Sequence, residues 1–333
     1  MPTDDRILDV LRAGGFLSAS PPTLQPMAGG VSSDVFRLQT ADGPVCVKRA
    51  LPKLRVAADW RAPVERSHYE VEWLRTVRPF AGAAVPTVLY EAPEAHLFVM
   101  SFFDPATHPV WKQELADGHV DPAFAGQVGA LVVAIHAGCA GVDEIASRFP
   151  TTALFEDLRL APFLRHLAGA HPDLSERLIA LADRTAATRI SLVHGDVSPK
   201  NILHGPAGPV LLDAECAWYG DPAFDLAFCS VHLMLKMVWK PAYADAYLES
   251  YSALHRAYLA GVDWEPVAAI EARAAQLTAA ILLARVDGKS PADYLHTPKD
   301  RAFVRATSRA LILEPPATMA ALAAVWAEGR RTR

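Results

Sequence analysis

Apolar positions along the chain follow two periods, and the change from one to the other divides it. Residues 4–13 place Ile7, Leu8, Val10 and Leu11 on one helical face, and Gly14-Gly15 stop the helix. Pro21-Pro22 then break the chain. Residues 27–38 read as strand, small-residue turn, strand. Asp42-Gly43 is a hairpin signal leading into the alternating strand Val45-Cys46-Val47-Lys48-Arg49. A helix is predicted over 64–77, with Tyr69, Trp73 and Val77 on one face, followed by strands at 85–91 and 96–103. Beyond this the period is helical. Asp121 and Pro122 open a helix over 122–136, with Phe124, Val128, Leu131, Val132 and Ile135 as its buried stripe. Further helices are predicted over 155–167, 174–187, 226–236, 243–258 and 267–284. The pattern predicts an α+β protein of two lobes: an N-terminal sheet lobe over 1–101 and a larger helical lobe over 102–333.

One stretch interrupts the helical lobe. Leu192-Val193-His194-Gly195-Asp196-Val197-Ser198-Pro199-Lys200-Asn201-Ile202-Leu203 is a strand end, a polar loop and an apolar pair, and Val210-Leu211-Leu212-Asp213 follows. His-Gly-Asp alone is an ordinary turn. The whole string, with an acid placed after the next strand, has a chemical reading. A carboxylate in a tight loop accepts a hydroxyl proton, and an Asn and a second Asp hold Mg²⁺ over transferring phosphates. Asp221 and Asp225, just beyond, are expected to fix loop geometry, and His136 to be a core or capping histidine.

The first lobe contains matching parts. Gly29, Gly30, Ser32 and Ser33 are small enough for backbone N–H groups to approach phosphate oxygens, although a hairpin turn also accounts for the two glycines. Lys48 ends a Val-x-Val strand, as a phosphate-pairing lysine does, and Glu70 or Glu72 on the next helix is its partner. The strand containing Met100 ends at Phe102-Phe103-Asp104-Pro105, a hinge where Met100 and Phe102 would line an apolar slot for adenine. Late in the chain, Arg285, Asp287 and Lys289 close the longest apolar helix. They read either as a charged end sealed by Gly288 or as contacts to substrate.

Composition narrows the class. The chain has 333 residues, 51% hydrophobic and 21% charged, enough for a sizeable core. A net charge of -5 gives no reason to expect a nucleic-acid partner. Cys46, Cys139, Cys216 and Cys229 are scattered, without a CxxC, and are expected reduced and mostly buried. The polar, acidic start has no apolar signal core, and no apolar run reaches membrane-spanning length; residues 128–135 come nearest. The expectation is a cytoplasmic protein without a membrane partner, a monomer or homodimer.

The whole pattern, over roughly 27–230 with a weaker echo near Arg285, resembles the aminoglycoside phosphotransferase-like kinases of small molecules. Within that superfamily it is most similar to methylthioribose kinase and its relatives. The similar segment is Lys48 to Val56, Trp60, and Glu65-Arg66-Ser67-His68-Tyr69-Glu70. The resemblance implies a bilobal protein-kinase-like fold, ATP in the cleft and a small-molecule hydroxyl acceptor. It implies Asp196 as catalytic base, Asn201 and Asp213 as Mg²⁺ ligands and Lys48 on the phosphates. The chain departs from methylthioribose kinase at Val197-Ser198-Pro199-Lys200-Asn201, which is similar to aminoglycoside and choline kinases, and at Asp213-Ala214-Glu215-Cys216. No Asp-Phe-Gly or Ala-Pro-Glu string follows, unlike in protein kinases. A nucleotide-binding pseudokinase scaffold is the remaining alternative, opposed by the presence of Lys48, Asp196, Asn201 and Asp213.

Overall fold

A computed structural model of the chain describes residues 5–17, 24–27, 32–53, 55 and 62–332. Gly29, Gly30 and Trp60 lie outside the described residues. The first lobe begins with helix α1 (Asp5–Ala13) and contains strands β1 (Leu24–Pro26), β2 (Ser33–Thr40), β3 (Gly43–Ala50), β4 (Val88–Ala92) and β5 (Leu97–Ser101). They form one antiparallel sheet in the order β1-β2-β3-β5-β4. The β2–β3 hairpin turns at Asp42-Gly43, where Gly43 has φ 121°, a conformation that favours glycine.

Strand alternation separates the two faces of this sheet. Val45, Val47, Leu97 and Val99 pack with Ile7 and Leu11 of α1. Cys46, Phe98 and Met100 point the other way and join the main core with helix α2 (Arg66–Ala81). Lys48 is in phase with Cys46 and sits opposite Phe98 in the register, so the alternation delivers its side chain toward α2.

The second lobe comprises α3 (Trp111–Asp117), α4 (Pro122–Cys139), α5 (Asp143–Arg148), α6 (Thr152–Phe155), α7 (His166–Ala170) and α8 (Ser175–Ala187). Strands β6 (Ser191–Val193), β7 (Ile202–Gly205), β8 (Gly208–Leu211) and β9 (Trp218–Gly220) come next. Helices α9 (Ala223–Trp239), α10 (Ala244–Ala260), α11 (Val267–Asp287), α12 (Pro298–Leu313) and α13 (Met319–Arg331) complete it. Asp121 caps α4 through Ala123 N at 2.8 Å, as its sequence predicts. The single helix expected over 155–167 is instead α6 and α7 joined by a π-helical stretch, Glu156–Arg165. Pro162 lies inside this stretch and lacks the N–H that an α-helix requires, consistent with the wider winding there.

α4 and α11 are apolar and long enough to cross a membrane by length and composition. The expectation that no run reaches that length therefore does not hold for the helices as folded. Both are largely buried, α4 against α10 and α11 against α9 and α12, as the core helices of a helical lobe are. All four cysteines are buried and free.

Candidate active site

α2 is the bridge between the lobes. Arg66, Glu70 and Trp73 recur at helical spacing on one face; Arg66 and Trp73 meet residues of the second lobe, and Glu70 holds Lys48, which reaches one. Arg66 is fully buried; its Nε donates to Glu215 Oε2 at 2.9 Å. Its Nη2 donates to the carbonyls of Ser32 at 2.5 Å and Leu51 at 2.7 Å. Lys48 Nζ contacts Glu70 Oε1 at 2.8 Å and Oε2 at 2.6 Å and also pairs with Asp213 Oδ1. The Trp73 ring meets the His194 ring edge-on at 4.9 Å. The choice left open by the sequence is resolved here: Glu70 takes Lys48, while Glu72 turns outward to Arg148 at 2.8 Å and Arg75 at 3.3 Å.

Burial alone would lower the Lys48 pKa, but the charges of Asp213 and Glu70 outweigh it and hold the ammonium protonated. Asp213 is held below the usual carboxylate range. Burial raises it, and Lys48 and Lys200 more than reverse that. Its backbone has φ 69°, a left-handed conformation that is unusual for a residue other than glycine. The Leu212 N–H donates to the Asn201 carbonyl at 2.9 Å, which ties this strand end to the preceding loop.

That loop leaves β6 at Val193 and is anchored from beneath. Asp225 is fully buried in the first turn of α9; its Oδ2 accepts from His194 N at 2.7 Å and its Oδ1 from Gly195 N at 2.8 Å. His136 Nε2 lies 3.2 Å from the same carboxylate and Nδ1 lies 2.8 Å from Tyr258 Oη, so His136 is a core residue that supports the anchor. Gly195 has φ 77°, and a Cβ there would come within 2.5 Å of the Cys216 carbonyl oxygen. Burial lowers the His194 pKa and keeps the ring neutral. Its Nδ1 accepts from Asp196 N at 3.2 Å, so the proton is on Nε2, which donates to Leu212 O at 3.1 Å.

The Asp196 carboxylate is 4% exposed and faces two cations: Lys200 Nζ at 2.9 Å and Arg159 Nη2 at 3.1 Å. Burial would raise its pKa, but Lys200 and Arg159 outweigh burial and bring it to about 2. Asn201 Nδ2 donates to the Asp196 carbonyl at 3.1 Å, which directs the side-chain oxygen of Asn201 away from that carbonyl. Among the described residues, no group of three or more His, Cys, Asp or Glu is placed to hold a metal by itself. The Asp213 carboxylate and the Asn201 amide oxygen, on segments tied together by the Leu212 N–Asn201 O hydrogen bond, would supply hard oxygen donors. That pair suits Mg²⁺ shared with phosphates, an ion usually bound through one or two carboxylates plus phosphate oxygens.

Lys48, Glu70, Asp196, Asn201 and Asp213 are thus brought together. Ser32 and Ser33 are buried, and the Ser32 carbonyl is held by Arg66. Met100 is buried in the core face of β5, and Phe102 follows the strand with the Arg37 guanidinium 5.4 Å from its ring. The late charged string divides. Asp287 is bound by Arg305 at 2.6 and 2.7 Å and by His171 at 3.1 Å, so it joins α11 to α12 and α7–α8. Lys289 is exposed, with its N–H near the Pro162 carbonyl. Asp287 does not fit the expected substrate contact, since a carboxylate already holding a guanidinium and a histidine is a structural link. Arg285 Nη1 closes the turn after α11 through Ser290 O at 2.6 Å, yet its charge is also felt by Asp196.

Sequence reasoning missed Arg159, Arg66 and Glu215. An arginine between Leu158 and Leu160 in an apolar helix was the available sign for the first. The other two meet across 149 residues, a pairing that no local pattern shows.

Residues 23–262 match the family model described as "Phosphotransferase enzyme family". The methylthioribose kinase of Pectobacterium atrosepticum is 28% identical over 271 residues, covering 72% of this chain and 67% of that protein. The methylthioribose kinase of Yersinia enterocolitica is 27% identical over 250 residues, 67% of this chain and 62% of that protein. The chain thus spans about two thirds of the length of these curated relatives. Among solved structures, an amicoumacin kinase in complex with AMP-PNP, Ca²⁺ and Ami superposes with TM-score 0.58 at 14% identity, covering 95% of this chain and 96% of that one. At this identity the superposition speaks for the fold alone, and that fold is a bilobal, kinase-like one. With its family model matched over most of its length, the chain belongs to the phosphotransferase enzyme family.

Proposed function

We propose that this protein transfers the γ-phosphoryl group of ATP to a hydroxyl of a small molecule in the cleft between the lobes, with residues 1–101 forming the nucleotide lobe and 102–333 the catalytic lobe. The observation that carries this reading is the convergence of Lys48–Glu70, Asp213 and Asp196 from separate elements. These are the groups that phosphoryl transfer needs: a cation for phosphates, a metal carboxylate, and an acceptor for the hydroxyl proton.

Mg²⁺, when bound with the nucleotide, offsets phosphate charge; Asp213 and Asn201 are the residues that would hold it. Glu70 orients Lys48, whose ammonium is directed at phosphate oxygens. Asp196 accepts a hydrogen bond from the acceptor hydroxyl and aligns its oxygen with the γ-phosphorus. As the new O–P bond forms and the bond to ADP breaks, the hydroxyl proton passes to Asp196. A carboxyl with a pKa of about 2 is a weak base, so alignment outweighs proton removal, and the proton moves late in a loose transition state. Arg159 and Lys200 pair with Asp196 and hold its carboxylate ionised.

Methylthioribose kinase activity proper is the narrower alternative, supported by relatives under 30% identical. The test is nucleotide binding and turnover in Asp196→Asn. Binding of ATP·Mg²⁺ is expected to persist while acceptor phosphorylation falls by about 10²-fold or more, the range for loss of a positioned general base. Turnover near that of the parent protein would remove Asp196 from the mechanism.

A further inference from the structure

α9 presents a stripe of side chains that the reading above does not use. Phe228, His232 and Lys236 are spaced four residues apart and Trp239 three further on, so they share one helix face. One end lies at the catalytic carboxylate. Arg159, paired with Asp196 at 3.1 Å, has its guanidinium 5.5 Å from the Phe228 ring centroid. The His232 ring meets Phe228 edge-on at 5.6 Å. The other end is a box: Lys236 Nζ is 5.0 Å from the Trp239 ring and 5.1 Å from the Tyr294 ring, and the two rings are 4.9 Å apart. From Phe228 to Lys236 the helix backbone advances about 12 Å, and Arg285 feels the charge of both Tyr294 at one end and Asp196 at the other.

Three polar atoms near that end are buried without a hydrogen-bond partner: Lys236 Nζ, Arg285 Nε and Tyr294 Oη. Lys236 is 1% exposed and Tyr294 8%. Buried polar atoms are ordinarily satisfied, and a failure to be so calls for a cause. The aromatic pair accounts for the position of the ammonium as a cation–π contact. It leaves the Arg285 N–H and the Tyr294 O–H without acceptors. All three atoms are hydrogen-bond donors, so what they lack is a group with several acceptor oxygens.

The surrounding charge agrees. Lys112 and Lys240 act on Lys236 to repel it, and the exposed Asp293 opposes them. Burial, followed by these neighbours, lowers the Lys236 pKa to about 8. His232 is kept neutral by burial and by Arg285, Lys236, Lys200 and Lys112. A ligand cation placed here would meet the same repulsion, and an anion would relieve it.

We propose that the Lys236–Arg285–Tyr294 end of this stripe is the subsite for an acidic group, and that the acceptor phosphorylated is a small hydroxylated anion. This rests on the phosphotransferase reading. Carboxylate, sulfonate or phosphonate oxygens accept from Lys236 Nζ, Arg285 Nε and Tyr294 Oη, while the hydroxyl of the same molecule reaches Asp196. The transfer is unchanged: a hydroxyl O–P bond forms, the bond to ADP breaks, and the proton leaves by Asp196. Amino alcohols and aminoglycosides, being cations, are excluded by charge.

The test pairs turnover with direct binding on the full chain. Turnover with ATP·Mg²⁺ is measured for glycerate, 3-hydroxypropanesulfonate and 2-hydroxyethylphosphonate, which separate the three acid types, against glycerol, ethanolamine and kanamycin. At least one anion is expected to exceed all three comparison compounds by 10-fold or more in kcat/KM. Calorimetry without nucleotide is expected to show binding of that anion, weakened 10-fold or more in Lys236→Met and restored in part by Lys236→Arg. ATP affinity is expected to be the same in all three proteins, and Lys236→Met, which removes a buried charge, is expected to melt no lower than the parent. Preference for glycerol, ethanolamine or kanamycin overturns the acidic subsite and leaves the kinase reading intact. So does anion binding that is indifferent to Lys236→Met, or no anion bound or turned over at all. Failure to bind ATP·Mg²⁺ overturns the kinase reading, and the calorimetry still judges the anion site.

Discussion

Asp225 holds the loop that carries Asp196 without belonging to it, and its replacement has a calculable cost. The Asp225→Ala change leaves the N–H groups of His194 and Gly195 buried and without acceptors, and also removes the partner of His136 Nε2. Each orphaned buried donor costs about 1–3 kcal/mol, so the two amides alone account for about 2–6 kcal/mol. Removing a fully buried carboxylate also removes its desolvation penalty, which places the net loss in the lower half of that range, about 3 kcal/mol. Asp225→Asn should cost less. Its oxygen can still accept from Gly195 N, but its amide nitrogen then opposes the His194 N–H, leaving one orphan and a loss of about 1–2 kcal/mol. Urea unfolding of the three proteins, compared at equal m-values, measures both figures. In the same proteins turnover should fall further than ATP affinity, because Asp196 is carried on the loop that loses its anchor. A loss below about 1 kcal/mol for Asp225→Ala, or equal losses for the two variants, would refute the assignment of Asp225 as acceptor for both amides.

Two further outcomes follow from the same loop. Gly195→Ala places a Cβ 2.5 Å from the Cys216 carbonyl in a backbone with φ 77°. The left-handed conformation alone costs about 1–2 kcal/mol, so an unfolding free energy within about 0.5 kcal/mol of the parent would contradict the geometry. Asp196 also makes stability depend on acid: its carboxyl is lowered from 3.8 to about 2, so the unfolded chain binds more protons between those values. The stabilisation is full above pH 3.8, amounts to about 2 kcal/mol, and is lost as pH falls toward 2. Asp196→Asn should flatten the acid limb of unfolding free energy against pH, and an unchanged limb would show that Lys200 and Arg159 do not stabilise the carboxylate.

Much of this protein is legible in one dimension. Period-2 and period-3.6 patterning separates the sheet lobe from the helical lobe because each period exposes one face for burial, whatever lies opposite. The string from Leu192 to Leu203 and the acid at Asp213 are readable because loop chemistry is local. A strand end, a turn glycine and an asparagine five residues past Asp196 constrain one another through a few bonds of backbone. Asp121 announces the cap of α4 for the same reason. Partner choice was not legible. Glu70 and Glu72 are alike in sequence. They differ only because the helix turns about 200° between them, so that one faces Lys48 and the other Arg148. Asp287 sits beside Arg285 in a string that suggested a ligand, and the packing of α12 gives its carboxylate to Arg305. Arg66 finds Glu215 only once both lobes are assembled, and Arg159 finds Asp196 only once the helical lobe folds around its loop. Burial then makes those pairings necessary, since a charge removed from water must be met by an opposite charge or a hydrogen-bond partner, and which one it meets is decided by tertiary structure.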